Sequence, residues 1–399
     1  MSIGRTRAKT TTYIPHPNSA MNVGVHLEKV AQMRASGTST TREGPIRLAI
    51  LDDYQNIARP KFAALLPRIE IHTFTYTLNA HSTSERNELI KRLQPFDVIS
   101  SMRERTAFPA EVLSALPRLK LLLTTGMRNA SIDMQACADR GILVVGTKGS
   151  KIKPPPTPPS TQVLSSSLQA TAEQTLALIL GVTKLIAHND AHIAHGGWQT
   201  GFVSSLAGKT LGVVGLGKIG AHVARMAALG FGMNIVAWSS NLTQQQADER
   251  AKEIGLEAVG IRVAASKLDL FREADVISLH YVLSDRSRRM VGSEEVAAMK
   301  PSGVLVNTSR GGLIDEPALL AALKQGRIRG VGLDVFTVEP LPSDSEWRTT
   351  RWGENGAGYA VLSPHMGYAE EDVIHGWYEE TAESLAEWLD GKTPSAVIS

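Results

Sequence analysis

Four side chains in the last quarter of the chain combine into chemistry that none of them carries alone. Arg310 in NTSRGGLIDE, Asp334 and Glu339 in LDVFTVEP, and His365 in LSPHMG each follow a short apolar run that reads as a strand. A guanidinium fork suits a carboxylate, and an imidazole braced by a carboxylate can carry a proton to or from an oxygen. These are the groups that reduction of a carbonyl needs. One holds an acid group of the substrate, one delivers a proton where negative charge develops, and one fixes the tautomer of the donor. Taken singly, each has a plainer reading, as an exposed arginine, a helix-capping glutamate or a satisfied histidine in a turn. Their shared position at successive strand ends, the rim where open α/β sheets bind ligands, favours the chemistry.

A reduction also needs a hydride carrier, and TLGVVGLGKIGAHVARMAALG (210–230) supplies a place for one. Gly215 allows a tight turn, Gly217 lets the backbone approach a pyrophosphate, and Gly220 lets helix and strand pack closely. The N–H groups near Lys218 and Ile219, with the helix dipole behind them, face the phosphate charge. The next strand, NIVAW, ends on Ser239, Ser240 and Asn241, about 20 residues after the last glycine, where such sites usually place an acid on the adenosine ribose. Without that acid a 2′-phosphate meets no repulsion, yet residues 233–249 hold no Arg or Lys to attract one. The expectation is relaxed use of NAD or NADP, leaning to NAD.

The elements that must position these groups alternate. RLAILDD, IEIHTFTY, DVISS, KLLLTTG and ILVVGT read as strands, separated by helices at ARPKFAALLP, SERNELIKRLQPF, PAEVLSALPRL and SIDMQACADRG. The run KGSKIKPPPTPPSTQVLSSS (148–167) interrupts this rhythm as a linker or hinge would. Its P-x-x-P spacing is read as an extended surface loop ahead of a ligand for a proline-reading module. One long amphipathic helix is expected from Leu168 to the Gly196-Gly197 pair, followed by a second strand/helix series and a last helix over EEDVIHGWYEETAESLAEWLD. The fold class is α/β, with doubly wound parallel sheets.

Composition narrows the remaining classes. The 399 residues are 43% hydrophobic with a net charge of +3, too small to imply a nucleic-acid or anionic-membrane partner. No uninterrupted apolar run is long enough to span a membrane. Residues 1–45, rich in Ser, Thr and Arg, are expected to be a disordered extension in preference to an organelle transit peptide. The single cysteine, Cys137, is expected to be a buried free thiol in a reducing, cytoplasmic setting. His188, His192 and His195 share a helix face, but no carboxylate or cysteine accompanies them at ligand spacing, so no metal is expected.

The run NTSRGGLIDEPALLAALKQGRIRGVGLDVFTVEP, followed by SPHMG, resembles the D-isomer-specific 2-hydroxyacid dehydrogenases, over a stretch reaching from about Ile46 to the last helix. The resemblance implies that Arg310 binds the carboxylate of a small 2-oxoacid, that His365 is the acid/base with Glu339 as its partner, and that Asp334 helps seat the nicotinamide. It implies a flavodoxin-like substrate domain, residues 46–168 and 366–399, around an inserted Rossmann domain, residues 169–365, hinged to close over substrate. It further implies a homodimer with the long helix near the interface, and backbone N–H groups near Gly126 and Met127 in TTGMRNASID on the substrate carboxylate. That loop departs from the family pattern at Arg128, Ala130 and Ser131, which leaves the substrate's identity open and suggests a second anionic group for Arg128. HYVLSDRSRR lacks the usual proline and threonines, and PSDSEWRTTRWGENGAGY is longer than usual, its Trp347 and Trp352 read either as pocket walls or as a surface excursion. Related alternatives are a formate dehydrogenase, which would pair its histidine with glutamine in place of Glu339, and an NAD(H)-sensing co-repressor, from which turnover would distinguish it. No third, effector-type domain is expected after the last helix.

Overall fold

The computed structural model describes residues 44–152 and 166–398. All but the last two residues of the N-terminal extension, and the prolines of the 148–167 run, lie outside the described residues. The chain divides into two compact units, Met1–Lys148 with Tyr378–Ser399, and Gly149–Trp377.

The first unit is built on β1 (Ile46–Ile50), β2 (Ile69–Thr73), β3 (Val98–Ser101), β4 (Leu121–Thr124) and β5 (Leu143–Val145), all parallel in the order β2-β1-β3-β4-β5. VISS and LLLT are buried at every position, as central strands covered on both faces must be. The helices are α1 (Thr83–Leu93), α2 (Ala110–Ser114) and α3 (Met134–Asp139). ARPKFAALLP forms a 3-10 turn, Arg59–Leu65, where its pattern predicts an α-helix. Pro67 turns the preceding Leu66 to extended backbone, ψ 140°, which stops the run while it is still short enough for 3-10 bonding. Cys137 lies in the core of this unit, and burial beside Asp133 pushes its thiol up to about 12, so it stays protonated.

The second unit begins with α4 (Ser166–Thr183) and α5 (Ile186–Ala194), which replace the single long helix that the sequence predicts there. The two are bent by 58° at Leu185, whose φ is 54°. Leu185 stays buried through the bend, so the apolar spacing continues and does not register the change of direction. Among the described residues no single helix is long and apolar enough to cross a membrane.

Seven parallel strands follow: β6 (Thr210–Val214), β7 (Asn234–Trp238), β8 (Arg262–Val263), β9 (Val276–Leu279), β10 (Val304–Asn307), β11 (Gly330–Leu333) and β12 (Tyr359–Leu362). Their order is β12-β11-β10-β9-β6-β7-β8, reversing direction of travel between β6 and β9. The helices between them are α6 (Lys218–Phe231), α7 (Gln244–Glu253), α8 (Lys267–Glu273), α9 (Ser293–Ala298), α10 (Glu316–Lys324) and α11 (Glu346–Thr349). The last helix, α12 (Glu371–Leu389), runs from the second unit into the first.

Register sets what this sheet can do. Val214, Trp238, Leu279, Asn307, Leu333 and Leu362 are paired at one level across it. The residues that follow each of them therefore share a single carboxyl-end rim, which for such sheets is the ligand side.

Candidate active site

On that rim the glycine-rich turn comes first. Gly215 has φ 98°, and a Cβ there would lie 2.5 Å from the His280 carbonyl oxygen, so only glycine lets β6 turn beside β9. A Cβ on Gly220 would run into the Gly215 carbonyl, which keeps α6 tight against the turn. Gly217, the N-cap of α6, differs from both: no heavy atom lies within 4 Å of where its Cβ would be. This open side faces the start of a 14-residue helix, with Lys218 exposed and Ile219 half-buried behind it. A pyrophosphate fits such a cradle, held by backbone N–H groups and the helix dipole.

β7 delivers Ser239, Ser240 and Asn241 to the same rim, just before the capping box in which Thr243 and Gln246 bond each other's backbone and start α7. Ser240 Oγ lies 2.9 Å from the Tyr281 hydroxyl at the end of β9, and Tyr281 stacks beside Trp238 with ring centroids 6.3 Å apart. His280, its neighbour, bonds Ser278 Oγ through Nε2 at 2.8 Å. Burial lowers its pKa to about 4, so it is neutral at physiological pH.

β10 ends in buried Asn307, whose amide donates to the Arg310 carbonyl at 2.9 Å and whose Oδ1 accepts from Ser309 N at 3.0 Å. These bonds set the turn that presents Arg310. Its Nη1 donates to the Ser309 carbonyl at 2.8 Å, and the following Gly311 presses so closely on the Phe336 carbonyl that a side chain there is excluded.

β11 and β12 carry the remaining groups. Glu339 Oε1 accepts the Phe336 N–H at 2.8 Å, while its Oε2 lies 2.6 Å from His365 Nδ1. With Nδ1 donating to this carboxylate, Nε2 is left for proton exchange. The ring also meets the edge of Tyr368, with centroids 5.2 Å apart. His365 is held at φ 55° by what lies beneath it. Asp334, 1% exposed, accepts from Met366 N at 2.8 Å and Ser363 Oγ with one oxygen, and from Gly367 N at 2.8 Å with the other. Gln174 of α4 donates to Ser363 Oγ at 2.9 Å, and Thr171 donates to the Gly367 carbonyl at 2.7 Å. The Asp334 carboxylate thus braces the histidine loop, where the resemblance implies a contact with nicotinamide.

In the first unit, Gly126 follows β4 with φ 81°. Its N–H donates to Thr147 Oγ1 at 2.7 Å, so of the two amides expected to meet a carboxylate this one is already engaged. The Arg103 guanidinium occupies the space a Gly126 side chain would need. Arg103 is placed there by its own left-handed backbone, φ 52°, a feature that no sequence spacing announces. Met127 and Arg128 are exposed on the same loop.

Other sequence candidates have structural partners. His188 packs edge-on against Tyr359 and stacks on His192, while His195 Nδ1 meets the Ala191 carbonyl at 2.7 Å. Among the described residues, no three His, Cys, Asp or Glu side chains are grouped as a metal site would require. Trp347 is 1% exposed in the second unit's core, donates to Glu316 Oε1 at 2.7 Å and packs on Trp352, so the long segment is anchored inward and is not a surface excursion.

Comparison with known proteins finds the same two parts. Residues 49–154 match the family described as D-isomer specific 2-hydroxyacid dehydrogenase, catalytic domain, and residues 176–367 match its NAD binding domain. A glyoxylate reductase of Thermococcus litoralis is 32% identical over 323 residues, covering 79% of this chain and 87% of that protein. A hydroxypyruvate reductase of Thermotoga maritima is 33% identical over 285 residues, covering 71% of this chain and 81% of that protein. The crystal structure of a phosphoglycerate oxidoreductase from Vibrio cholerae superposes with a TM-score of 0.72 at 31% identity, covering 87% of this chain and 99% of that one.

Proposed function

Because the chain belongs to the D-isomer-specific 2-hydroxyacid dehydrogenases, NAD(P)-dependent enzymes that interconvert 2-oxoacids and 2-hydroxyacids, we propose that it reduces a small 2-oxoacid through Arg310, Glu339 and His365. The observation that carries this reading is the 2.6 Å pair of His365 Nδ1 with Glu339 Oε2 on the rim that also bears the glycine-rich turn. The nicotinamide, when bound, supplies or accepts the hydride. Arg310 holds the substrate carboxylate in its guanidinium fork and draws electron density from the adjacent oxo group. His365, as imidazolium, gives its Nε2 proton to the oxygen that becomes the alcohol, and in oxidation takes it back. Glu339 steadies that cation and keeps the ring turned, and Asp334 positions the loop beneath it.

Gly215, Gly217, Lys218, Ile219 and Gly220 are assigned to the pyrophosphate, and Ser239, Ser240 and Asn241 to the adenosine ribose, with either cofactor accepted and NAD favoured. The second unit is accordingly the cofactor domain and the first the substrate domain, where Met127 N–H and Arg103 are the groups offered to a substrate anion. Glyoxylate and hydroxypyruvate, named for two relatives, are the first substrates to try. A homodimer is supported by the exposed apolar residues Ile186, Ile193, Trp198 and Phe202, the last 94% exposed. A cytoplasmic setting is supported by the lone, unreactive thiol.

The test is a panel of 2-oxoacids against NADH and NADPH. His365→Asn should slow reduction by about two orders of magnitude or more. Absence of turnover with every pair would reject the reading, and a kcat/KM ratio for the two cofactors above about a hundredfold would reject relaxed cofactor choice.

A further inference from the structure

The ribose end of the cofactor site has lost its acid, and the structure puts something else there. β7 and β9 lie on opposite sides of β6 in the sheet, so the Ser240–Tyr281 contact at 2.9 Å passes over the end of β6, where the glycine-rich turn sits. Tyr281 also approaches Ser240 N at 3.4 Å. Its ring is steadied from the side by Trp238, which leaves the hydroxyl as the polar end of a braced side chain. Of the three arginines that follow in the same loop, Arg288 lies over Gly312 and Arg289 beside Asp315, both on the β10 side, while Arg286 is exposed. Ser239, Ser240 and Tyr281 bring hydroxyls to the ribose end.

We infer that Tyr281 is a specificity-determining residue of the cofactor site, its hydroxyl acting with Ser240 to bind the adenosine 2′-hydroxyl in place of the missing carboxylate. This rests on reading the glycine-rich turn as the dinucleotide cradle. A phenol and a serine can each donate and accept, so a 2′-hydroxyl joins their hydrogen bond as a third member. A 2′-phosphate would have to part them, and residues 233–249 bring no cation to it. The pair thus accounts for a moderate preference for NAD(H), where a carboxylate would exclude NADP(H) by repulsion.

The test is calorimetric titration of the full chain with NAD+ and with NADP+, which needs no turnover. Tyr281→Phe removes the hydroxyl and keeps the ring against Trp238. It should weaken NAD+ by about three- to tenfold, the range of one neutral hydrogen bond, and leave NADP+ within about twofold, so that the preference narrows. Ser240→Ala should behave alike, and the double variant should lose little more than either single one, because both remove the same contact. Unchanged NAD+ affinity, or equal losses for both dinucleotides, would overturn the assignment. If the wild-type chain binds NAD+ but reduces no 2-oxoacid, the proposed reaction fails while these affinities still judge Tyr281.

Discussion

Replacing Glu339 by glutamine is the sharpest probe of the His365 pair, because the carboxylate has two neighbours and both are donors. Phe336 N–H holds Oε1 and His365 Nδ1–H holds Oε2. A glutamine has one carbonyl oxygen for these two N–H groups. If the oxygen stays on Phe336, the new amide N–H faces the imidazolium N–H; if the amide rotates, Phe336 loses its acceptor. Either way one donor is stranded, at about 1–3 kcal/mol, and the charge assistance to the imidazolium, about 1 kcal/mol beyond a neutral bond, is gone as well. The two side chains are 22% and 30% exposed, so water recovers part of this, which leaves about 2–3 kcal/mol against the imidazolium. That corresponds to a fall in kcat for 2-oxoacid reduction of about 30- to 150-fold. NADH binding, measured by titration, should stay within about twofold, since Glu339 does not approach the glycine-rich turn through any of these bonds. A kcat within threefold of wild type, or a loss matched by an equal loss of NADH affinity, would refute the role given to Glu339.

Three further outcomes follow from other parts of the molecule. Arg310→Ala should abolish saturation by the 2-oxoacid while NADH affinity is kept, and Arg310→Lys should recover only part, because an ammonium cannot meet a carboxylate as a fork; steady-state kinetics with dinucleotide titration checks both. His280 has a folded pKa of about 4 against an ordinary 6.5, so only the unfolded chain takes up its proton as pH falls between those values. Its contribution to stability is complete above about pH 6.5 and declines below it: urea unfolding should find about 1–2 kcal/mol less stability at pH 5 than at pH 7.5, and His280→Gln should flatten that part of the slope. Trp347→Ala empties a site in the second unit's core and strands Glu316 Oε1, so chemical denaturation should register a loss of about 3–5 kcal/mol.

The parts of the molecule legible from sequence are those whose signal is local. Short β-branched and leucine runs such as VISS and LLLT mark strands buried on both faces, and the glycine spacing of GLGKIG marks a strand-to-helix turn, although the close approach of the His280 carbonyl to Gly215 comes from a distant strand. Arg310, Glu339 and His365 are recognisable because each follows such a run. The features that escape depend on distant segments or on backbone handedness. Ser240 meets Tyr281 across two strand spacings, Thr147 takes the Gly126 N–H, and Arg103 reaches Gly126 only through its left-handed φ. The bend at Leu185 escapes because the buried side chain continues the apolar pattern, and Trp347 because a tryptophan in a polar segment carries no sign of which face it will bury.

The histidine loop joins these two kinds of information. A non-glycine residue at φ 55° stands about 1–2 kcal/mol above ordinary backbone, and such a conformation persists where its surroundings over-determine it. Here the surroundings are a buried carboxylate receiving three hydrogen bonds from Ser363, Met366 and Gly367, with the His365 N–H itself donating to the Asp334 carbonyl at 2.8 Å. α4 adds Gln174 and Thr171 from outside the strand series. An isolated buried carboxylate would be costly; one with its oxygens filled by loop donors becomes the means of holding the loop. Asp334 and Glu339 therefore divide the work on His365 by position: the buried acid orients the backbone that carries the ring, and the partly exposed acid bonds the ring itself. In the proposed reaction, the ordering of the acid is thus assigned to bonds within the protein, those of Asp334 and Glu339, and not to the substrate.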